Sequence, residues 1–191
     1  MENRIKIMKK YFRKLKGKEN NKVEGLINET TTRALERAKK VLCIENHKVS
    51  KPLVISAPNL NHSSKLKFRV TEVNKEHRID YNNAILTTIF FDENTLFYHK
   101  AEVNYITGHV DVDFAGVIKL NDIKHLQVKI DYDDPKEPKV SNLTLRLDLT
   151  GGNSIAFSLR DHFLFDGYNY PDVLTEKERL VIQTIQKAIR L

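Results

Sequence analysis

The sequence is poor in residues that would cross-link the chain or carry it through a membrane. It has one cysteine and no tryptophan among 191 residues, and a single cysteine excludes an internal disulfide framework and fits a reducing compartment. Its longest apolar-rich runs, such as residues 84–91, fall far short of the about 20 residues that a membrane-spanning helix needs. The basic start continues into GKENNK rather than into an apolar stretch, so we expect no secretory signal. These absences predict a cytoplasmic protein.

All of the net positive charge lies at the start of the chain. The sequence carries 32 Lys+Arg against 25 Asp+Glu, a net charge of +7. Residues 1–18 hold eight bases and one acid, Glu2, and so contribute 8 − 1 = +7, whereas residues 19–191 sum to zero. This asymmetry predicts that the first segment contacts an anionic partner.

Residues 4–16 have the periodicity of an amphipathic helix, and Gly17 stops the pattern. One side of this helix is apolar and the other is basic. The apolar insertion face comprises Ile5, Met8, Tyr11, Phe12 and Leu15, and the bases that could bind an anionic surface are Arg4, Lys6, Lys9, Lys10, Arg13, Lys14 and Lys16.

This helix has three interpretations. It could lie on an anionic membrane, with its apolar side at the headgroup boundary and each base contributing roughly 1 kcal/mol. It could bind nucleic acid, where the same charges would release counterions. It could also pack on its own domain or on a partner, with the lysines only solvating it. The apolar stripe favours membrane or protein contact, because nucleic acid gives it little to bury.

Two further helices and a strand-rich region are predicted. A second helix covers about 22–45, where Cys43 in the apolar stretch VLCI is expected to be a small buried side chain. A linker follows to residue 64, with one short strand at 53–56. A closing helix near 175–190 has capping-box spacing between Thr175 and Glu178, and an apolar stripe that includes Leu180.

From residue 65 onward the apolar period changes to two, as in LQVKIDYD (126–133) and LTLRLDLT (143–150). Such alternation predicts antiparallel strands with one wet face, about seven of them up to residue 160. We therefore predict an α+β fold. Its parts are a basic amphipathic helix at 1–18, a helix and linker at 19–64, and a β-domain with a C-terminal helix at 65–191.

The β-region contains four stretches with a shared pattern: ILTTIFFDENTLFYH (85–99), GVIKLNDIKHLQV (116–128), LTLRLDLTGGNSIAFSL (143–159) and ERLVIQTIQKAI (178–189). They resemble hairpins, a strand–turn–strand and the closing helix of the pleckstrin-homology-like superfold, in particular GRAM and bacterial PH-like domains. The resemblance implies an antiparallel seven-stranded sandwich or barrel closed by a C-terminal helix, here preceded by two N-terminal helices. The chain departs from the family in lacking a tryptophan in that helix and in the YNYPD insertion before it.

The same resemblance implies a binding function. The family binds phosphoinositides through basic residues of its first hairpin loop, which here would be NKEHRIDYNN (74–83), with Lys75, His77 and Arg78 against Glu76 and Asp80. The superfold also hosts peptide binders and structural modules, so the fold alone does not assign a function.

Two strand patterns could carry metal chemistry. His109, Asp111 and Asp113 alternate along HVDVD as metal ligands could, although the wet face of any antiparallel sheet looks the same. Asp113 followed by Gln127-Val128-Lys129 loosely resembles the D…(E/Q)xK arrangement of one nuclease superfamily, in which acids hold Mg²⁺ and the lysine orients the attacking water. Lys129 is equally explained as an outward residue of a strand.

The loop RDHFLFDGYNYPD (160–172) could support acid–base chemistry through Arg160, Asp161, His162 and Asp166. No serine or cysteine nucleophile in a strained turn accompanies it, and the sequence has no glycine-rich phosphate loop. We therefore expect no catalytic residues, no metal and no cofactor.

The sequence thus predicts a non-enzymatic binding or adaptor module. Its N-terminal helix would tether it to the inner membrane face or to an acidic partner, and its β-domain would recognise a protein or peptide. The alternatives are a nucleic-acid-binding accessory protein, a Mg²⁺-dependent nuclease, and a structural component of a larger assembly.

Overall fold

The computed structural model describes residues 2–60, 66–73, 76–132, 140–161 and 174–189. Over these residues the chain is α+β, with three helices and ten strands in three sheets and no closed barrel, so the predicted class is confirmed. The elements are α1 (Glu2–Tyr11), β1 (Lys16–Gly17), α2 (Asn21–Val41), β2 (Leu53–Pro58), β3 (Phe68–Val73), β4 (Glu76–Tyr81), β5 (Asn83–Phe91), β6 (Thr95–Asn104), β7 (His109–Lys119), β8 (Ile123–Tyr132), β9 (Val140–Leu149), β10 (Ser154–Asp161) and α3 (Glu176–Ile189).

Seven of these strands form two antiparallel sheets that share a core. One sheet has the order β2-β5-β6-β7 and the other the order β10-β9-β8. Leu143, Leu145 and Leu147 of β9 are fully buried and pack in one cluster with Ile89 of β5 and Leu96 of β6. The alternation predicted for residues 143–150 is therefore confirmed, with every second side chain facing the other sheet.

The four-stranded sheet is covered on both faces, which explains why β5 is a nearly continuous apolar run. Ile89 faces the three-stranded sheet, while its neighbour Phe90 packs against Ala38 of α2. Leu86 belongs to a further cluster that contains Met8 of α1. The layers are thus the helices α1 and α2, the four-stranded sheet, and the three-stranded sheet.

α2 ends in a left-handed residue that is not glycine. Cys43 has a φ of 56°, a conformation that costs an L-residue roughly 1–2 kcal/mol. Its N–H donates to the Lys40 carbonyl over 3.1 Å, and the N–H of Ile44 donates to the Lys39 carbonyl over 2.9 Å, which is the Schellman pattern. Ile44 is buried but Cys43 is exposed. The prediction of a buried cysteine is therefore wrong, because the helix has already ended in a turn at this residue.

Replacing Cys43 with glycine should raise the free energy of unfolding by about 0.5–1 kcal/mol, because glycine adopts this φ without a Cβ penalty. Cys43→Ala keeps the Cβ and should stay within about 0.5 kcal/mol of the wild type. Urea unfolding of both variants measures the difference. A glycine variant no more stable than the alanine variant would contradict the strain assigned to this turn.

α3 enters the core between the two sheets through Val181, Ile182 and Ile185, which are all buried. Leu180, predicted on the same apolar stripe, is 58% exposed instead. That prediction is wrong because the buried side of α3 is centred on the two residues after Leu180 and the next turn.

One buried ion pair joins α3 to β10. Arg160 and Glu178 are 2% and 8% exposed, and Arg160 Nε donates to Glu178 Oε1 over 2.7 Å, with a second bond from Nη2 to Oε2. Glu178 Oε2 also accepts from the Thr175 N–H over 2.7 Å, and the Glu178 N–H donates to Thr175 Oγ1 over 3.2 Å. The predicted capping box is therefore confirmed, and the same carboxylate anchors the helix to the sheet.

Glu178→Ala should lower the free energy of unfolding by about 3–5 kcal/mol, because it leaves a buried guanidinium without this carboxylate and removes the bond from the Thr175 N–H to it, which is one half of the capping box. Glu176→Ala lies in the same turn at an exposed position and should cost about 1 kcal/mol or less. Thermal unfolding of the two variants compares them. Equal losses would show that the ion pair contributes no more than an exposed first-turn acid.

Candidate anion-binding cleft

Four cations at or just beyond α1 line one wall of an open cleft. They recur at steps of three and four residues, a spacing that puts side chains on a single side of a helix. The opposite wall comes from the residue before β3, from the start of β5 and the residue before it, and from the end of β6 and the turn that follows. The cleft has a volume of about 1070 Å³, and it is lined by Lys6, Lys9, Lys10, Arg13, Lys67, Asn82, Asn83, Asn104, Ile106 and Thr107.

The five cations of the cleft are not neutralised by nearby carboxylates of the described residues. Lys6, Lys9, Lys10, Arg13 and Lys67 form no ion pair with any of them. Like charges gathered on a concave surface concentrate the positive potential and attract an anion. The cleft is therefore the surface on which we base a function.

The orientation of α1 is set by its apolar side. Met8, Tyr11 and Phe12 are 0%, 5% and 4% exposed and belong to one core cluster with Val23 of α2 and Ala101 of β6. Because that side is buried, the opposite, basic side of the helix is the one presented to the cleft.

Tyr11 extends this anchoring to the small sheet formed by β1, β3 and β4. Its hydroxyl lies 3.0 Å from Thr71 Oγ1 and donates to Asp80 Oδ2 over 2.7 Å. Desolvation and the negative charge of Asp80 raise the pKa of Tyr11 to about 12, so the hydroxyl remains a donor near neutral pH. Arg69 Nη1 donates to the Tyr11 carbonyl over 2.8 Å, with the guanidinium carbon 4.3 Å from the ring centroid. A Cβ at Gly17 would overlap that guanidinium, so this approach requires glycine.

The predicted insertion face is wrong for Met8, Tyr11 and Phe12, because these side chains are used inside the fold. Ile5 is partly buried and Leu15 is 59% exposed, and a single exposed leucine does not form an apolar surface. None of the helices in the described part of the chain is long and apolar enough to cross a membrane.

Arg4 also serves the fold. Its Nη2 donates to the Leu26 carbonyl over 3.0 Å and to Thr30 Oγ1 over 2.5 Å. The same nitrogen lies 3.1 Å from the Tyr105 carbonyl, and Nη1 donates to Glu29 Oε2 over 3.2 Å. The prediction that Arg4 binds an anionic surface is therefore wrong, because its guanidinium joins α1 to α2 and to the turn after β6.

Arg4→Ala should lower the free energy of unfolding by about 2–3 kcal/mol, since it leaves several partly buried acceptors without their donor. Lys6→Ala, two residues further along α1 and on the cleft side, should change it by about 0.5 kcal/mol or less. Urea unfolding at neutral pH separates the two. A similar loss in both variants would contradict the conclusion that Arg4 stabilises the fold whereas Lys6 does not.

The remaining predicted bases divide between the cleft and its surroundings. Lys14 and Lys16 are exposed but are not among the residues that line the cleft. Lys6, Lys9, Lys10 and Arg13 do line it, and their role as anion ligands stays a prediction.

Sequence reasoning missed the opposite wall of the cleft. Asn82 Oδ1 accepts from the Lys67 N–H over 2.5 Å, and Asn104 Oδ1 accepts from the Thr107 N–H over 3.1 Å. The Asn104 amide orders the turn after β6, and the Asn82 amide joins the two ends of the β3–β4 hairpin, so both bring polar side chains to the cleft. Asparagine is common in turns because its side chain can bond to nearby backbone groups. An asparagine in a turn is therefore ordinary in the sequence, and nothing in the local pattern links these residues to a helix far away in sequence.

A β-bulge separates Asp113 from His109. Ala101 of β6 pairs with Asp113, but Val103 pairs with Val110, so β7 carries one extra residue between them. Asp113 consequently lies on the same, helix-facing side of the sheet as Val110. The alternation predicted along HVDVD is therefore wrong. Among the described residues, no group of three His, Cys, Asp or Glu side chains could hold a metal ion.

Asp113 connects the sheet to α2. Its Oδ1 lies 2.8 Å from Nε2 of the fully buried His99, and its Oδ2 accepts from Arg37 Nε over 2.5 Å. Desolvation acts to raise the pKa of Asp113, but the bonds from Arg37 and His99 outweigh it and hold the pKa below its ordinary value. Asp113 is thus a charged, fully engaged structural carboxylate.

The nuclease-like pattern does not come together. Lys129 is on the outer side of the three-stranded sheet, where its Nζ pairs with Asp131 Oδ1 over 2.9 Å. Asp113 is on the helix side of the four-stranded sheet, so the core between the two sheets separates it from Lys129. Gln127 is opposite Arg146 on β9 and is exposed.

Two predicted loop sites lie partly outside the described residues. In the loop 160–172, His162 and Asp166 are outside them, and Arg160 is bonded to Glu178 as described above. The prediction of a hairpin loop at 74–83 is wrong, because residues 76–81 form β4 and pair with β3; Lys75 and the side chain of His77 are outside the described residues.

Comparisons of the chain with protein-family models, with curated proteins and with solved structures give no match. The geometry of the cleft itself is therefore the basis for a function.

Proposed function

We propose that the protein is a non-enzymatic binding module whose basic cleft holds the phosphate backbone of a nucleic acid. The observation that carries this proposal is the convergence of three lysines of α1, Arg13 just beyond it and Lys67 on a concave surface, without a neutralising carboxylate among the described residues. Because α1 is fixed by its buried side, the cations are positioned before a ligand arrives. Binding then orders fewer groups and loses less conformational freedom.

The residue types of the cleft favour a phosphate backbone over an acidic protein. Lys, Arg, Asn and Thr side chains are the usual contacts to phosphate oxygens in protein–DNA complexes. Ile106 is the one apolar residue among the described lining residues, whereas protein interfaces depend on buried aromatic and apolar anchors. That lining also has no aromatic ring on which an unpaired base could stack. The ligand expected from this chemistry is a duplex, bound without sequence preference.

The pleckstrin-homology-like fold is also part of the proposal. What supports it is the division of seven strands into meanders of four (β2, β5, β6, β7) and three (β8, β9, β10), followed by α3. On this interpretation the hairpin β3–β4 is an insertion between the first and second strands. The β-region would then recognise a protein or peptide, as an adaptor does.

An anionic membrane is the second candidate ligand, for one specific reason. Pleckstrin-homology-like domains bind headgroups through the loop after their first strand, and on the proposed interpretation that loop contains Lys67 and Asn82 of the cleft. Attachment would depend on headgroup contacts, at about 1 kcal/mol per base. The localisation that follows is cytoplasmic, peripheral on the inner membrane face.

Fluorescence anisotropy with a short labelled DNA duplex tests the first candidate. The association constant should fall with salt, and five phosphate contacts would give a slope of log K against log [salt] of about −4.5. The double variant Lys9→Glu/Lys10→Glu should bind at least about tenfold more weakly and with a shallower slope, because two contacts become repulsive.

The double variant Lys124→Glu/Lys187→Glu makes the same change in net charge on β8 and α3, outside the cleft. It should bind the duplex within about twofold of the wild type. Equal weakening of both variants would mean that overall charge, not the cleft, attracts DNA. If the duplex does not bind, but vesicles of anionic phospholipid sediment the wild type and not the cleft variant, the second candidate replaces the first. Truncation of residues 1–18 is unsuitable, because it removes part of the core.

A further inference from the structure

A second pocket lies between α2 and the sheets, separate from the basic cleft. It has a volume of about 450 Å³, within the range of small-molecule sites, and it shares no lining residue with the cleft. Its walls come from α2, from β2, β4 and β5, and from the first turn of α3. Ile27, Val54 and Leu86 provide apolar surface on three different elements.

Three of the hydroxyl groups of this pocket already interact with one another. Tyr105 is hydrogen-bonded through its side chain to Thr31 and Ser56, and desolvation raises the pKa of Tyr105. These groups therefore form a satisfied wall that requires no ligand. What remains for recognition is the apolar surface and the charged groups at its edge.

Two cations reach the pocket, and their surroundings differ. Arg78 Nη1 donates to Glu24 Oε1 over 2.9 Å, and Arg78 Nε lies 3.2 Å from Asp80 Oδ1. Two carboxylates thus balance Arg78. Lys177, in the first turn of α3, forms no ion pair with a carboxylate of the described residues.

The surroundings of Lys177 disfavour its charged form. The residue is exposed as a whole, yet desolvation and then repulsion by Arg78 lower the pKa of Lys177, and the nearby Glu178 opposes them only in part. Glu178 is itself bonded to Arg160. An anion bound at the Lys177 ammonium would therefore provide the favourable charge–charge interaction that the neighbouring side chains provide only in part.

We propose that this pocket binds a small amphiphilic monoanion, with its carboxylate or sulfonate at Lys177 and its apolar part against Ile27, Val54 and Leu86. A single negative charge fits, because of the two pocket cations only Lys177 forms no ion pair with a carboxylate of the described residues. A second negative charge would approach Glu24 and Asp80, which also line the pocket, and would be repelled. This site is independent of the proposed nucleic-acid function.

Two fluorescent probes that differ by one sulfonate test the proposal on the full chain. Anilinonaphthalene sulfonate has aromatic rings and one negative charge, and phenylnaphthylamine has the rings alone. The wild type should bind the sulfonate at one site per chain, about fivefold more tightly than the neutral amine. Lys177→Met keeps the length of the side chain but removes its charge. This variant should lose the preference and keep its affinity for the neutral amine within about twofold.

Three variants serve as controls. Lys187→Met, at an exposed position of α3 outside the pocket, should behave as the wild type. The Lys9→Glu/Lys10→Glu variant should also keep the preference for the sulfonate, which shows that the probe is not in the basic cleft. Asn28→Trp places a ring at the α2 wall and should weaken both probes together. Thermal unfolding of each variant checks that it is folded. The proposal is overturned if Lys177→Met retains the preference, or if the Lys9/Lys10 variant loses it.

Discussion

The burial of the apolar side of α1 against α2 and the four-stranded sheet determines where the basic cleft lies. Met8 and Phe12 are almost completely buried in that core, and Tyr11 continues from it to the carboxylate of Asp80. Burying apolar side chains of this size contributes about 1.5–3 kcal/mol each, far more than solvated lysines on the other side can. The helix is therefore oriented by apolar contacts, and the arrangement of the cleft cations follows from side chains that never touch a ligand.

Periodicity predicts the elements better than it predicts their surroundings. The amphipathic pattern of residues 4–16 predicts a helix, and α1 is present, but it ends at Tyr11, and after a turn the chain becomes extended at Lys16. There the Leu15 carbonyl accepts from the Val70 N–H over 2.8 Å, and Lys16 and Gly17 pair with β3. The pattern also shows that an apolar surface must be covered, but it does not show by what. An amphipathic helix has the same sequence pattern whether its apolar side is covered by a membrane, by a partner or by the core of its own domain.

Two kinds of feature could not be predicted from the sequence. Some depend on a shift of one residue in strand pairing, and others depend on contacts with residues that are distant in sequence. The extra residue of β7 reverses the side on which Asp113 lies, and alternating side chains look the same with or without a bulge. Cys43 belongs to an apolar stretch, yet its φ of 56° follows from the Schellman turn rather than from its own preference. Likewise Lys67, Asn82 and Asn104 reach the cleft only because strand pairing brings the two ends of the β3–β4 hairpin and the turn after β6 beside α1. The predicted basic side of the helix was thus half of the site.

Net charge located the site, but the chemistry of each cation decides its use. The forked guanidinium can bond several acceptors at once, which suits contacts within a fold. Arg4, Arg69 and Arg160 are engaged in this way with carbonyls, a hydroxyl and carboxylates. The ammonium of lysine is a strongly hydrated point charge that is easily left at a surface, and four of the five cleft cations are lysines. The second pocket shows the same division: its arginine is bonded to two carboxylates of the fold, and its lysine is left for a ligand.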